Sequence, residues 1–475
     1  MKIDIEAYKN NYHQGEKFID NWQKGVKLLP FDSRNASAYD KKCGLQGITG
    51  EFFRLWDNDG TKPIENFEES ALDPVADYLY NQKQMPQEQV TEFREMMKDI
   101  MFIDGNLNIT DSSFLKFLPL IPSDERITEK EKNKYIDGQR KLSNYIFSML
   151  PDDKNYNKGN HPPKNLFSRI LQEALVNDVN ISDEVKKHEY TILPYIKDSF
   201  VKDISWILEQ EESVKVKYIH LLIHFYICYA VTQALVAINQ KTYKPEPYPF
   251  YFILSSEKVS ITHDAVVRGW SHYFPISTLD KVYGKSQALD ILNSVLGGEI
   301  GFYNDVYEKL EETPFDENRE ACNELLNSYQ EEKRYALEHR SSERQVLEKF
   351  EKIDIDVQSY KEFVCILERL CVGLQSPSYI RMKKKVIDLL SVRFLQNRTR
   401  SGYVLSLDNE MLTFLIALFT KGEKTKLEKL YKIFNSYGIF FNRGSRLAIE
   451  DYLLKLNLLD RKSDSGEAQY VKVVL

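Results

Sequence analysis

Cysteine is scarce in this chain: Cys43, Cys228, Cys322, Cys365 and Cys371 are scattered through 475 residues. They form no CxxC pair and no disulfide-framework spacing, which excludes a disulfide-stapled scaffold. The familiar catalytic signatures are missing as well. No GxxxxGK[ST] occurs, so ATP binding through a P-loop is not expected, and neither GxSxG nor HExxH is present. There is no repeat at a fixed period and no low-complexity tract. The opening residues, MKIDIEAYKNNYHQGEKF, hold no apolar stretch of signal-peptide length, so the expected location is the reducing cytoplasm.

What is present is ample material for cores. The chain is 42% hydrophobic, 12% aromatic and 28% charged, with a mean hydropathy of −0.46. That balance belongs to globular proteins, and the length allows roughly two to four domains. One run stands apart. Tyr218 to Ile238 carries no formal charge and is long enough to cross a bilayer. It also holds His220, His224, Thr232 and Gln233, which are costly in lipid, so a helix buried in protein is expected.

The expected fold is mainly α: a multi-domain helical protein with a small β element and a C-terminal winged-helix domain. Composition shifts place four segments. Residues 1–120 read as a mixed, mainly helical domain. Residues 121–303 read as a helical domain with a buried apolar helix over 215–239 and a short strand near 248–254. Residues 304–378 form a charged helical arm, and 379–475 the basic winged-helix domain. Within the first segment, LPFDSRNASAYDKKCGLQGITGEF is polar and glycine-interrupted and reads as loop and turn. PQEQVTEFREMMKDIMF reads as a helix with Val90, Phe93, Met96, Met97 and Ile100 on one face. YPFYFILSS reads as a buried strand, and the charged stretch over 304–352 as a solvated helical pair or arm.

The last hundred residues are the most ordered in pattern. Leu412, Leu415, Ile416 and Phe419 recur at helical spacing, as do Leu427, Leu430, Tyr431 and Phe434. Gly438 falls where a left-handed residue stops a helix, and Asn442 is placed to cap a third. That helix should turn Ile449, Tyr452, Leu453 and Leu456 inward. A hairpin follows, with SDSG as its turn and Val471, Val473 and Leu475 facing the helices. Three helices followed by a two-stranded ribbon is the winged-helix order.

Charge is uneven. The net −7 divides into +8 from Tyr379 onward and −15 before it. The candidate DNA-binding residues are therefore Lys424, Lys426, Lys429, Arg443, Arg446, Lys455, Arg461, Lys462, Arg398 and Arg400, all able to neutralise phosphates. RMKKK adds Arg381, Lys383, Lys384 and Lys385. Against base reading stand Glu450 and Asp451 on the third helix, so a protein-docking role stays open beside DNA contact.

Other candidates have plainer explanations. His220 and His224 lie four apart, but in apolar surroundings and without further donors, so core histidines are expected rather than metal ligands. Asp152 in PDDK with Glu184 and Lys186 in EVK loosely echoes a metal-dependent nuclease motif, without its strand context. Cys365 and Cys371 fit buried small hydrophobes. No catalytic residue, metal ligand or cofactor of this chain's own is expected.

The ending GIFFNRGSRLAIEDYLLKLNLLDRKSDSGEAQYVKVVL resembles the C-terminus of the DptG (DndG) family of phosphorothioation-dependent restriction proteins. HLLIHFYICYAVTQALVAI, YPFYFILSSEKVS and LPFDSRNASAYD with ITGEF are similar in kind to that family. The resemblance implies a non-catalytic subunit of a bacterial anti-phage restriction complex. It also implies DptF-like and DptH-like partners, on which ATP is expected, and DNA lacking the host's phosphorothioate mark as the target. An assembly scaffold without DNA contact, or a nuclease subunit, are the alternatives.

Overall fold

The computed structural model describes every residue except 1, 16, 20–21, 33–37, 40–41, 58–60, 62, 64–79, 82–84, 104–105, 108–110, 122–126, 152–187, 241–244, 258–267, 276–277, 299–300, 341–342, 399–401, 462–468 and 475. The described elements are mainly helical with small sheets. In chain order the principal helices begin with α1 (Ile5–Tyr12), α2 (Gln46–Asp57), α3 (Gln87–Met101), α4 (Glu129–Phe147), α5 (Pro194–Leu208) and α6 (Glu212–Gln240). Strand β1 (Phe250–Leu254) follows, then α7 (Val282–Val295), α8 (Tyr303–Glu311), α9 (Phe315–Glu338), α10 (Tyr360–Gly373) and α11 (Arg381–Ser391). The chain then runs β2 (Leu395–Asn397), β3 (Tyr403–Leu407), α12 (Asn409–Thr420), β4 (Thr425–Lys426), α13 (Leu427–Ser436) and β5 (Ile439–Phe441). It closes with α14 (Arg443–Lys455), β6 (Leu459–Arg461) and β7 (Gln469–Val471).

These elements gather into two compact units whose limits do not coincide with the four segments read from composition. One comprises Met1–Asn35, Tyr190–Tyr195 and Cys228–Val474, the other Ala36–Glu189 with Ile196–Ile227. Packing between residues far apart in sequence defines them, and local composition does not report such packing.

In the second unit, α2 packs on α4 and on the 3-10 turn Ser112–Phe117. The glycine-rich stretch expected as loop is therefore a buried helix from Gln46 onward. Gly47 is required for closeness: a Cβ there would lie 2.0 Å from the Leu120 carbonyl oxygen. Phe52 meets Phe200 edge-on at 6.2 Å, and Phe200 meets Tyr226 at 5.1 Å. The Tyr226 hydroxyl donates to Asp203 at 2.8 Å, so the polar ends of this aromatic core are satisfied. Helix α3 forms as expected, with Val90 and Phe93 half-buried but Met96 exposed. The side chains of Met97 and Ile100 lie outside the described residues.

In the first unit, α7 is the centre, with every residue but Lys285 buried. Asp290 on α7 gathers the N-terminal loop. It accepts from the backbone amides of Lys24 (3.0 Å), Gly25 (2.7 Å) and Val26 (2.9 Å), and from the Tyr12 hydroxyl. Helix α9 belongs to this core and is no free arm: Cys322, Leu325, Leu326, Tyr329 and Leu337 form a buried face that packs toward α10. Its many charges sit on the other face, so composition alone reads as solvated. Cys371 is buried as expected, whereas Cys365 is exposed.

The expected strand is β1, and it is an inner strand. The sheet order is β2-β3-β1-β5, with β1 parallel to both neighbours and β2 antiparallel to β3. Burial on both faces explains its unbroken apolar run. Helix α6 is the one described helix long and apolar enough to cross a membrane, and its apolar window lies wholly buried in the protein.

Candidate nucleic-acid interface

The C-terminal helices follow from their caps. Asp408 accepts from the Met411 amide at 2.8 Å at the start of α12, and Asn442 accepts from the Ser445 amide at 2.7 Å at the start of α14. Gly438, at φ +72°, ends α13 as expected and leads directly into β5. The inward faces of α12 and α13 are buried as spaced, and so are Ile449 and Leu453 of α14. Tyr452 is half-buried, but Leu456 is 46% exposed because α14 ends at Lys455 and the chain turns away.

The ribbon is three-stranded. Strand β7 pairs antiparallel with β6 and, on its other side, with β4, giving the order β6-β7-β4. Val471 is fully buried, while Val473 is exposed and Val474 buried, because the strand ends at Val471 and the alternation with it. The SDSG turn and Leu475 lie outside the described residues.

A buried carboxylate fixes how α14 begins. Glu257 accepts from the Leu254 amide at 2.7 Å and from the Ser445 hydroxyl at 3.1 Å. The end of β1 is thereby tied to the first turn of α14, while β5, just before that helix, pairs with β1. Between α13 and α14 lies a cleft of about 360 Å³ lined by Lys426, Tyr431, Arg443, Arg446, Glu450 and Gln469, among others. The Arg446 guanidinium lies 4.7 Å over the Tyr431 ring, and the Tyr431 hydroxyl donates to the Arg446 carbonyl at 3.3 Å. Burial, helped by the Glu450 carboxylate, pushes the Tyr431 hydroxyl well above its usual value, so it stays a neutral donor.

The candidate cations with described side chains separate into two groups. Lys426, Lys429, Arg443 and Lys455 are exposed and have no ion-pair partner among the described residues. The others are committed. Lys424 pairs with Asp460 and lies 5.6 Å over the Tyr470 ring. Arg446 stacks on Tyr431. Arg398 donates to the carbonyls of Ser255 (3.0 Å) and Glu257 (3.4 Å), so it is a clamp on the loop after β1 rather than a free cation. The side chains of Arg461, Lys462 and Arg400 lie outside the described residues. Upstream, Lys383 pairs with Asp280 at 3.2 Å, and buried Lys385 with Asp32 at 3.5 Å. Much of the local positive excess is thus absorbed internally. Gln469 and Glu257 escaped sequence reading, since neither stands in a motif, and Tyr431 is legible there only as part of a buried helix face.

Burial pushes the Cys228 and Cys322 thiols up to about 12, so neither is a nucleophile at neutral pH. The His224 ring Nε2 lies 3.1 Å from the Leu45 carbonyl oxygen, and the His220 and His224 rings meet edge-on at 5.7 Å. Among the described residues, no group of three or more His, Cys, Asp or Glu is placed to hold a metal ion. Asp152, Glu184 and Lys186 lie outside the described residues. A scan against protein-family models and a search of curated proteins find no match to this chain.

Proposed function

We propose that residues 409–474 are a winged-helix module that rests on the phosphate backbone of a DNA duplex. The observation that carries this reading is the order α12-β4-α13-β5-α14-β6-β7, closed by the antiparallel β6-β7-β4 ribbon. In that order α13 and α14 stand as the helix-turn-helix pair and the β6-β7 hairpin as the wing. Lys426 at the end of β4 and Arg443 at the start of α14 line the cleft, Lys429 lies on α13, and none of the three has an ion-pair partner among the described residues. Phosphate contact is favoured over base reading, because the outward face of α14 carries Glu450 and Asp451.

The wider role rests on the resemblance to DptG-type restriction proteins. In this reading the chain is a cytoplasmic, non-catalytic subunit that brings DNA to DptF-like and DptH-like partners, and those partners bind the ATP. The test is duplex binding by the wild type and by a Lys426→Ala/Lys429→Ala/Arg443→Ala variant at one moderate salt concentration. The variant binds at least about tenfold more weakly if these cations meet phosphates. Equal affinity removes the reading.

A further inference from the structure

We propose that the outward face of α14 is a docking surface for an amphipathic helix of a partner protein, one whose apolar seam is flanked by Lys or Arg. This inference does not rest on phosphate contact by Lys426, Lys429 and Arg443; it turns on Leu447, Leu454, Glu450 and Asp451, and shares only Arg443 with that reading.

Helix α14 buries Ser445, Ile449 and Leu453, which lie four residues apart on one side. The opposite side carries Leu447 and Leu454, two turns apart and therefore nearly in line. They are 55% and 39% exposed. Scattered exposed leucines are ordinary, but two on one stripe are not scattered.

The charges around the stripe define what covers it. Glu450 and Asp451 sit between the two leucines along the helix, one to each side: Asp451 is exposed, while Glu450 is half-buried at the edge of the cleft and accepts from Gln469 Nε2 at 3.4 Å. Neither has an ion-pair partner among the described residues. Arg443 marks the N-terminal end of the same side. A duplex groove fits poorly: leucine offers no donor to a base edge, and the two carboxylates repel phosphates. A helix presenting apolar residues at i, i+3 or i+4, and i+7 fits well. Its cationic flanks would face Glu450 and Asp451, and a carboxylate near one end would face Arg443. Arg443 at one end of the stripe and the carboxylates beside its middle also set one orientation for the partner.

The test uses the full chain and a labelled helical probe of about twenty residues, with leucine at the a and d heptad positions and lysine at e and g. A second probe carries glutamate at e and g. Fluorescence anisotropy should show the lysine probe bound about tenfold or more tighter than the glutamate probe. Leu447→Ser/Leu454→Ser should weaken that binding by about tenfold or more, and Glu450→Lys/Asp451→Lys should reverse the probe preference. Leu447, Leu454 and Asp451 are exposed and Glu450 is half-buried, and circular dichroism with a thermal melt checks that both variants fold. Unchanged probe binding in the leucine variant overturns the proposal, as does indifference to probe charge. So does a leucine variant that loses duplex binding instead, which would make α14 a groove helix. A wild-type dimer that the leucine variant dissolves would name a second copy as the occupant and overturn it too.

Discussion

The Ser445 hydroxyl donates to the Glu257 carboxylate at 3.1 Å, a buried hydrogen bond that joins residues 188 positions apart. It holds the first turn of α14 to the end of β1, beside the parallel pairing of β1 with β5. The C-terminal module is therefore anchored at the base of its third helix. Ser445→Ala should leave one Glu257 oxygen without its donor and cost about 1–3 kcal/mol, read as a lowered urea midpoint at unchanged slope. A variant as stable as the wild type would show that the anchor is supplied elsewhere.

Asp460 restrains two lysines. It pairs with Lys424 and, at 3.2 Å, with Lys472, and hydrogen bonds from those ammoniums hold its carboxyl below the usual range. A depressed folded value means that the pairing is present above the ordinary carboxylate pKa and is lost as pH falls through the lowered one. Asp460→Asn removes the restraint at neutral pH. Duplex binding should tighten, and its salt dependence should steepen by the equivalent of about one further neutralised phosphate. Unaltered binding would place Lys424 and Lys472 off the DNA.

Gly47 lets α2 approach the segment after the Ser112–Phe117 turn. Gly47→Ala forces a methyl group to within 2.0 Å of the Leu120 carbonyl unless the helix moves. The expected cost is about 1–3 kcal/mol or more, seen as a lowered melting temperature. If the loop reading of this stretch were right, the same substitution would be close to neutral.

Asp290 offers a pH signature. Burial raises its carboxyl pKa above the ordinary value, even though Tyr12 and the amides of residues 24–26 favour the ionised form. Because the folded protein holds this proton more tightly than the unfolded chain, stability should fall as pH rises from the ordinary carboxylate value through that of Asp290, then level off. Urea midpoints measured across that window should show the fall in the wild type and lack it in Asp290→Asn. Parallel curves would assign the window to other groups.

The readable parts were those where local pattern and burial coincide. Leu427, Leu430, Tyr431 and Phe434 are spaced for one helix face and all are buried; Gly438 and Asn442 stop and cap as their chemistry dictates. Phe250–Leu254 was legible because a strand covered on both faces is continuously apolar. Elsewhere the deciding neighbours are distant in sequence. Gly47 resembles a loop glycine until Leu120 is placed against it. The charges of α9 conceal a buried stripe, and β4 and β5 are too short to show a period. The candidate interface had the same weakness. Composition counts Lys383, Lys385, Lys424 and Arg398 as free cations, whereas Asp280, Asp32, Asp460 and two backbone carbonyls already hold them.

Phosphate neutralisation by Lys426, Lys429 and Arg443 is tested most directly by the salt dependence of duplex affinity. Plotted as log affinity against log salt, the wild type should slope steeply downward. The triple alanine variant should slope less steeply, by about 0.9 for each phosphate it no longer neutralises. Two parallel lines, or a wild-type affinity indifferent to salt, would contradict the account.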